Sequence, residues 1–233
     1  MDWSDLDCED ASFLGCDFRA ARFGGTTFAG ARFSGCRFAG ARFAHADLGE
    51  ADFAACAFVE SDDAASGCSF SFCDLRRAQL RSCDLSFARL ERCDLYSAEL
   101  ERCNLRGARL HRCDFSHAYS RKLVVTRATF RACNLKLADL AETRLAQCDF
   151  SGSRLRETDL ANCDLTDAVL RDCDLFQAEL AGAKLDGADL RGAEISGLNL
   201  LRLGGFAGMK VYQSQQRMLL DALGVDVHPE PEA

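Results

Sequence analysis

Residues 73–100 read CDLRRAQLRSCDLSFARLERCDLYSAEL, and two beats run through them. Leu75, Leu80, Leu85, Leu90, Leu95 and Leu100 recur at every fifth position. Two residues before each stands a small side chain: Cys73, Ala78, Cys83, Ala88, Cys93 and Ala98. On an α-helix a five-residue step walks about 140° around the cylinder, so no apolar face forms. A long strand repeats every two residues, and five does not fit it either. The small residue and the leucine are two apart, which is strand spacing with both side chains on one side. A chain that sends such a pair inward, turns a corner and repeats winds into a solenoid with the pairs inside. The residues between the pairs face water and hold most of the Asp, Glu, Arg and Ser. No unit buries its face alone, so the array must be long.

The beat extends in both directions from this stretch. Upstream it runs Phe13, Phe18, Phe23, Phe28, Phe33, Phe38, Phe43, Leu48, Phe53 and Phe58, and downstream it continues, with few misses, to Leu190, Ile195 and Leu200. Thirteen of the 14 cysteines fall in the small-residue slot; only Cys8 does not. Their ten-residue spacing supplies neither the CxxC pairs nor the nearby histidines of a zinc site. A free cysteine packs as a small apolar side chain, and that is the role expected here. The alternation of Cys and Ala also has a ten-residue period, which an even number of sides would sort into separate columns. This favours four sides over three.

Two places break the beat. Phe70 comes twelve positions after Phe58, and the intervening residues Val59 to Gly67 lack a core residue, so a loop is expected near 59–69. From Phe115 to Phe130 the phase holds, but the expected inward positions are Ser120 and Val125. Either one misfit side continues through, or an excursion over about 116–127 leaves the coil. After Leu200 the pattern stops. Val211 to Leu223 reads as an amphipathic helix with Gly224 as its C-cap, and Val225 and Val227 follow on a short extended segment. A bare solenoid end exposes core, so this segment either caps its own chain or forms a two-fold interface through Tyr212, Met218, Leu219, Leu220, Leu223 and Val225. Residues 1–10 are expected to cap the other end, 11–200 to form the repeat, 201–227 to hold the helix and short strand, and 228–233 to be disordered.

Units such as Ala-Asp-Leu-Ala-Glu at 138–142 and Cys-Asp-Leu-Thr-Asp at 163–167 resemble the pentapeptide-repeat family. That resemblance implies an all-β fold, a right-handed quadrilateral parallel β-helix with two projecting loops and a C-terminal capping or dimerisation helix. Residues 56–70, 115–130 and 211–227 resemble one branch in particular, the Qnr quinolone-resistance and related topoisomerase-protecting proteins. What the resemblance implies is a homodimer whose acidic rod mimics DNA and engages DNA gyrase or topoisomerase IV, protecting it from quinolone or natural-product poisons. The loop residues it points to are Glu60, Asp62, Asp63, Tyr119, Ser120, Arg121 and Lys122.

Charge is banded along the chain. Residues 1–69 carry 12 acids and 5 bases, 70–138 carry 7 and 14, and 139–194 carry 13 and 6. Over the last band, about 13 Å of rod at one strand spacing per coil, a duplex would carry about eight charges. Net −7 therefore approaches the charge density of DNA, and Asp164, Asp167, Asp172, Asp174, Glu179, Asp186 and Asp189 are the expected acidic surface. The arginines of the middle band are interleaved with acids, so inter-coil pairing is expected for them rather than direct nucleic-acid binding. His45, His111, His117 and His228 are scattered, and the cluster Asp114, Ser116, His117 lacks an oxyanion site. No phosphate-binding or dinucleotide motif occurs, so no catalysis, cofactor or metal is expected. The acidic start and the lack of a long apolar run point to a soluble, cytoplasmic chain without membrane partners. The alternative function is a scaffolding solenoid with an unrelated protein partner.

Overall fold

The computed structural model describes residues 1–60, 66–120 and 123–228. Its register follows from the five-residue beat. Arg22 pairs with Arg42, Arg32 with Asp52, Thr27 with Asp47 and Arg37 with Ala57, each in parallel and 20 residues along. Four five-residue units therefore close one coil, and the solenoid has four sides. The first side carries Phe23 and Phe43 inward, the second Phe28 and Leu48, the third Phe33 and Phe53, the fourth Phe38 and Phe58. Three-residue strands line the third side from Ser12–Leu14 to Thr129–Arg131 and the first from Arg22–Gly24 to Arg109–His111. The other sides, and the coils after Arg131, are joined by single parallel bridges.

Between sides the chain turns through a residue of positive φ. At Gly30 φ is +66°, and a Cβ there would collide with the Asp10 carboxylate of the preceding coil. Inside, aromatic rings stack coil upon coil: Phe23 on Phe43 at 4.6 Å, Phe33 on Phe53 at 4.7 Å, Phe38 on Phe58 at 4.9 Å. Stacked, buried rings add about 0.5–1.5 kcal/mol per pair beyond their area.

The small-residue slots sort as the alternation requires. Cys73, Cys93 and Cys113 stack on the second side; Cys36, Cys56, Cys83, Cys103 and Cys133 stack on the fourth. The slot also has a hydrogen-bonding role. Cys103 donates its thiol to the Leu80 carbonyl of the coil before at 3.2 Å, and Cys163 and Cys173 donate to Leu140 and Phe150 at 3.0 Å. Thr158 and Thr26 do the same, to Leu135 at 2.8 Å and Trp3 at 2.7 Å, and Ser153 donates to Phe130. Cys, Ser and Thr are thus interchangeable here because each carries one small donor. All fourteen cysteines are free. Burial pushes the Cys148, Cys163 and Cys173 thiols up to about 12, so they stay protonated and inert at neutral pH.

Register offsets locate the insertions. Arg42 pairs with Ser69, 27 residues along, so the first loop inserts seven residues. Asn104 pairs with Asn134, 30 along, so the second inserts ten. Those ten leave the coil as an antiparallel hairpin, Ser116–Ser120 against Leu123–Thr126, closed at its base by Arg127 N–H donating to Phe115 C=O at 2.9 Å. Of the two readings of this stretch, the excursion is the one the chain takes.

Both ends of the repeat lie further out than expected. Residues 1–10 are not a separate cap: Asp2 bridges Arg22, Asp7 bridges Thr27, and Trp3 packs edge-on against Phe18 at 5.3 Å. Trp3 and Cys8 occupy the inward beat, so the first coil begins at the N-terminus. At the other end the coil continues beyond Leu200, with Lys184 paired to Gly205 and Asp189 to Lys210, both 21 along. One residue slips, and Phe206 and Val211 carry the beat in the shifted phase. The helix is correspondingly short: a 3-10 turn, Gln213–Gln215, leads into α1, Gln216–Ala222. It ends in a Schellman motif, with Gly224 at φ +77° donating to Asp221 and Val225 donating to Leu220 at 2.9 Å. No strand forms over 225–228, contrary to the short strand expected, because the chain leaves the last coil without a partner to pair with. Residues 229–233 of the expected tail lie outside the described residues.

Because the slot tolerates a small donor but has no room for bulk, Cys103→Ser should lower stability by less than about 1.5 kcal/mol. Cys103→Leu should lower it by about 1–3 kcal/mol through overpacking. Urea denaturation monitored by circular dichroism checks the order.

Candidate partner-binding surface

The hairpin is held against the second side by an aromatic clasp. The Tyr96 and Tyr119 hydroxyls hydrogen-bond at 2.8 Å, His117 lies 5.1 Å from the Tyr96 ring, and it meets the Tyr119 ring edge-on at 4.8 Å. Tyr119, Leu123 and Val124 are exposed. Ser120 accepts the Leu123 N–H at 3.1 Å and so tightens the tip; Arg121 and Lys122 lie outside the described residues. Tyr96 is not singled out by the sequence reading, although an aromatic residue in an outward slot is the signal, and His117 is noted there only as a neighbour of Asp114 and Ser116. Ser116 donates directly to Asp114 at 2.7 Å with no histidine between them, so these neighbours form a turn rather than a relay.

In the first loop, Glu60 is exposed and pairs with Arg19 at 2.9 Å, tying the loop to the fourth side. Asp62 and Asp63 lie outside the described residues.

The seven expected rod acids do not form one surface. Asp189 is 6% exposed, held between Arg171 Nε at 2.6 Å and Arg191 Nη2 at 2.7 Å. Asp174 pairs with Arg156 at 3.1 Å and Glu179 with Arg202 at 3.2 Å. Asp186 accepts the Ala207 N–H at 2.9 Å, and Asp164 is half-buried and accepts from Thr166. Asp167 and Asp172, at positive-φ corners, are exposed. Two further acids belong with the outward set. Asp139, Asp159 and Glu179 stand one above another on the first side, in adjacent paired positions, each followed two residues on by an alanine, with Arg109 next in the column before Asp139. Sequence spacing of 20 residues carries that signal once four sides are counted.

The C-terminal end has two layers. Gln215 is buried and acts as a polar plug. Its Nε2 donates to the Leu190 and Ala193 carbonyls at 2.9 and 2.8 Å, and its Oε1 accepts from Gly192 and Tyr212. Met218 and Leu219 pack onto the core of their own chain, and Leu220 is half-buried. Tyr212, Leu223 and Val225 remain exposed, together with Leu201 and Phe206.

Among the described residues, no group of three or more His, Cys, Asp or Glu is placed to hold a metal ion, and no helix is long and apolar enough to cross a membrane.

A four-sided solenoid of five-residue units defines a repeat class, and comparison with known families agrees. The pattern described as "Pentapeptide repeats (8 copies)" matches residues 3–35, 16–53, 36–62, 65–95 and 83–119, and "Pentapeptide repeat region" matches 123–200. The chain belongs to the pentapeptide-repeat family. Among solved structures it is similar to full-length QnrB1, described as a plasmid-mediated fluoroquinolone resistance protein. The TM-score is 0.73 at 22% identity, covering 97% of this chain and 100% of that one. A trypsin-treated variant of QnrB1 gives a TM-score of 0.62 at 19% identity, over 98% and 99% of the two chains. No curated protein matches.

Asp189 is a structural rather than a partner-facing acid. The Arg191 hydrogen bonds, reinforced by Arg171, hold its carboxyl well below the ordinary aspartate range against the opposing effect of burial. A depressed folded pKa stabilises above the unfolded value and is lost as pH falls through the folded one. Asp189→Asn should therefore cost about 1–3 kcal/mol at pH 7. The gap to wild type should begin to narrow below about pH 5 and close only in strong acid, once pH falls below the folded pKa, measured by denaturation across pH.

Proposed function

We propose that this chain is a non-enzymatic, cytoplasmic protein that binds DNA gyrase, with topoisomerase IV as a second target, and protects the enzyme from a quinolone or natural-product poison. The observation that carries the reading is the acid column Asp139, Asp159, Glu179. It places one acidic side chain per coil, about 4.8 Å apart, with Arg109 adjoining Asp139 at its start and Arg202 paired to Glu179 at its end. One strand of a duplex carries a phosphate charge every 3.4 Å or so along its axis. The column is therefore a sparser version of a DNA backbone, suited to steering onto a basic DNA-binding saddle. It runs toward the end where Tyr212, Leu223 and Val225 are exposed. A two-fold contact there would join two chains end to end and double the acidic length. The similarity to QnrB1 supports the same direction. In this reading Tyr119 and the rest of the hairpin contact the enzyme outside the saddle.

Removing residues 117–126 shortens the chain by the ten residues that separate the offset at the hairpin from the regular 20, so the coil should close without it. The deletion is expected to keep the fold by circular dichroism and sizing but to lose protection of gyrase from a quinolone. Asp139→Asn with Asp159→Asn should weaken gyrase binding at least tenfold in biolayer interferometry. Retention of full affinity by that double variant would contradict the DNA-mimic reading and favour a scaffolding solenoid.

A further inference from the structure

The same outward column of the first side that ends in Asp139, Asp159 and Glu179 begins with the opposite sign. Arg22 stands beside Arg42, Arg42 beside Ser69, Ser69 beside Arg89, and Arg89 beside Arg109. Four guanidinium groups thus line a straight strip of five coils, about 19 Å long at one strand spacing per coil. All four are exposed, and none forms an ion pair among the described residues. This departs from the inter-coil pairing expected of the middle-band arginines. That expectation holds elsewhere: Arg76 pairs with Asp94, Arg77 with Glu50 and Arg81 with Asp52. On the first side the neighbouring coils offer arginine to arginine instead, since the 20-residue period stacks like on like.

The corners reinforce the strip. Arg92 lies over the Phe72 ring at 5.4 Å, and His45 stacks on the same ring at 5.1 Å, in a stack parallel to the column. On the opposite corner Arg106 lies over Phe87 at 5.3 Å. Glu91 is the one carboxylate on these five strands. Asp2 and Asp139 border the strip at its two ends, so its basic length is bounded.

From this column we infer a direct binding site for the phosphate backbone of a nucleic acid, independent of any topoisomerase. This file of arginines, interrupted once at Ser69 and flanked by Gly24, Ala44 and Ser71 on the same strands, offers charge with Phe72 as the one exposed large apolar side chain at its corner. It matches a regularly charged polymer, and guanidinium forks suit phosphate oxygens. Binding is sequence-independent and weak, with dissociation constants of about 10⁻⁴–10⁻⁶ M near physiological salt. With this site on the basic half and the DNA-like column on the acidic half, one side of the rod both resembles and holds DNA.

The test is fluorescence anisotropy of the full chain with a labelled random-sequence 24-base-pair duplex and the matching single strand, at 50–200 mM KCl and without any enzyme. Four phosphate contacts predict a slope of log K against log salt of about −3.6 for the duplex and about −2.8 for the single strand. The pair Arg42→Gln and Arg89→Gln should halve the slope for either. The pair Arg32→Gln and Arg154→Gln, exposed arginines on other sides, removes the same charge and should leave it unchanged. No salt-dependent binding at 50 mM KCl and 100 µM protein overturns the inference, as does an equal loss in both pairs of variants. Measurable binding of poly-glutamate with none of either nucleic acid also overturns it, in favour of an acidic protein partner. Failure of this assay leaves gyrase protection standing, and failure of gyrase protection leaves this assay unaffected.

Discussion

Outside the two insertions and the last coil, each coil of this chain hangs from backbone hydrogen bonds to the coil 20 residues away in register, such as Phe38 N–H to Ala57 C=O at 2.7 Å and Arg42 N–H to Ala21 C=O at 2.9 Å. Because the offset repeats, each position of the five-residue unit generates a column along the rod. The inward columns become stacked rings, stacked leucines and stacked thiols. The outward ones become files of charge whose sign is set by which residues the sequence places 20 apart. The fold therefore converts linear periodicity into surface pattern. A one-residue slip near Gly204 shifts every later column, which is why the last coil pairs at 21 and the beat is carried by Phe206 and Val211.

The surface columns are where function is written, and the first side carries two of them end to end. Arg109 sits directly beside Asp139, so the side changes sign between neighbouring coils. Net charge by segment detects the change but assigns it to the whole rod. Resolved by side, much of the acidic band is neutralised within the chain, as at Asp174, Glu179 and Asp189, while Asp139 and Asp159 form no ion pair among the described residues. The acidic surface left unpaired is thus narrower than the charge count implies.

The four-sided coil was legible in the sequence because the inward pair must recur at five and because Cys and Ala alternate at ten. The positions of both insertions were legible as breaks in that count. The ends were not. Trp3 and Cys8 keep the beat with residues unlike Phe or Leu, and the slip after Leu198 hides the last coil behind a change of phase. Among the site residues, Tyr119, Tyr212, Leu223, Asp167 and Asp172 are exposed, as residues of loops, corners and ends. Asp189 was not legible as a buried acid, because its burial depends on Arg171, which lies one coil away on the same side. The packing of Met218 and Leu219 was not legible either, since an amphipathic helix shows that it must cover something without showing whether the cover is its own coil. Gln215 carried no signal at all: a polar residue facing the core is intelligible only once the carbonyls of Leu190 and Ala193 are seen to need a donor.

The central claim is that this rod acts on a DNA topoisomerase, and a gyrase supercoiling assay tests it most directly. Purified protein would be titrated into gyrase with and without a fluoroquinolone, and in parallel with a second class of gyrase poison. The account predicts recovery of supercoiling from at least one poison at low protein concentration, with inhibition at high concentration as the acidic column competes with substrate DNA. No effect on supercoiling or on poison sensitivity, across several gyrases and poisons at protein concentrations well above the enzyme's, would contradict it.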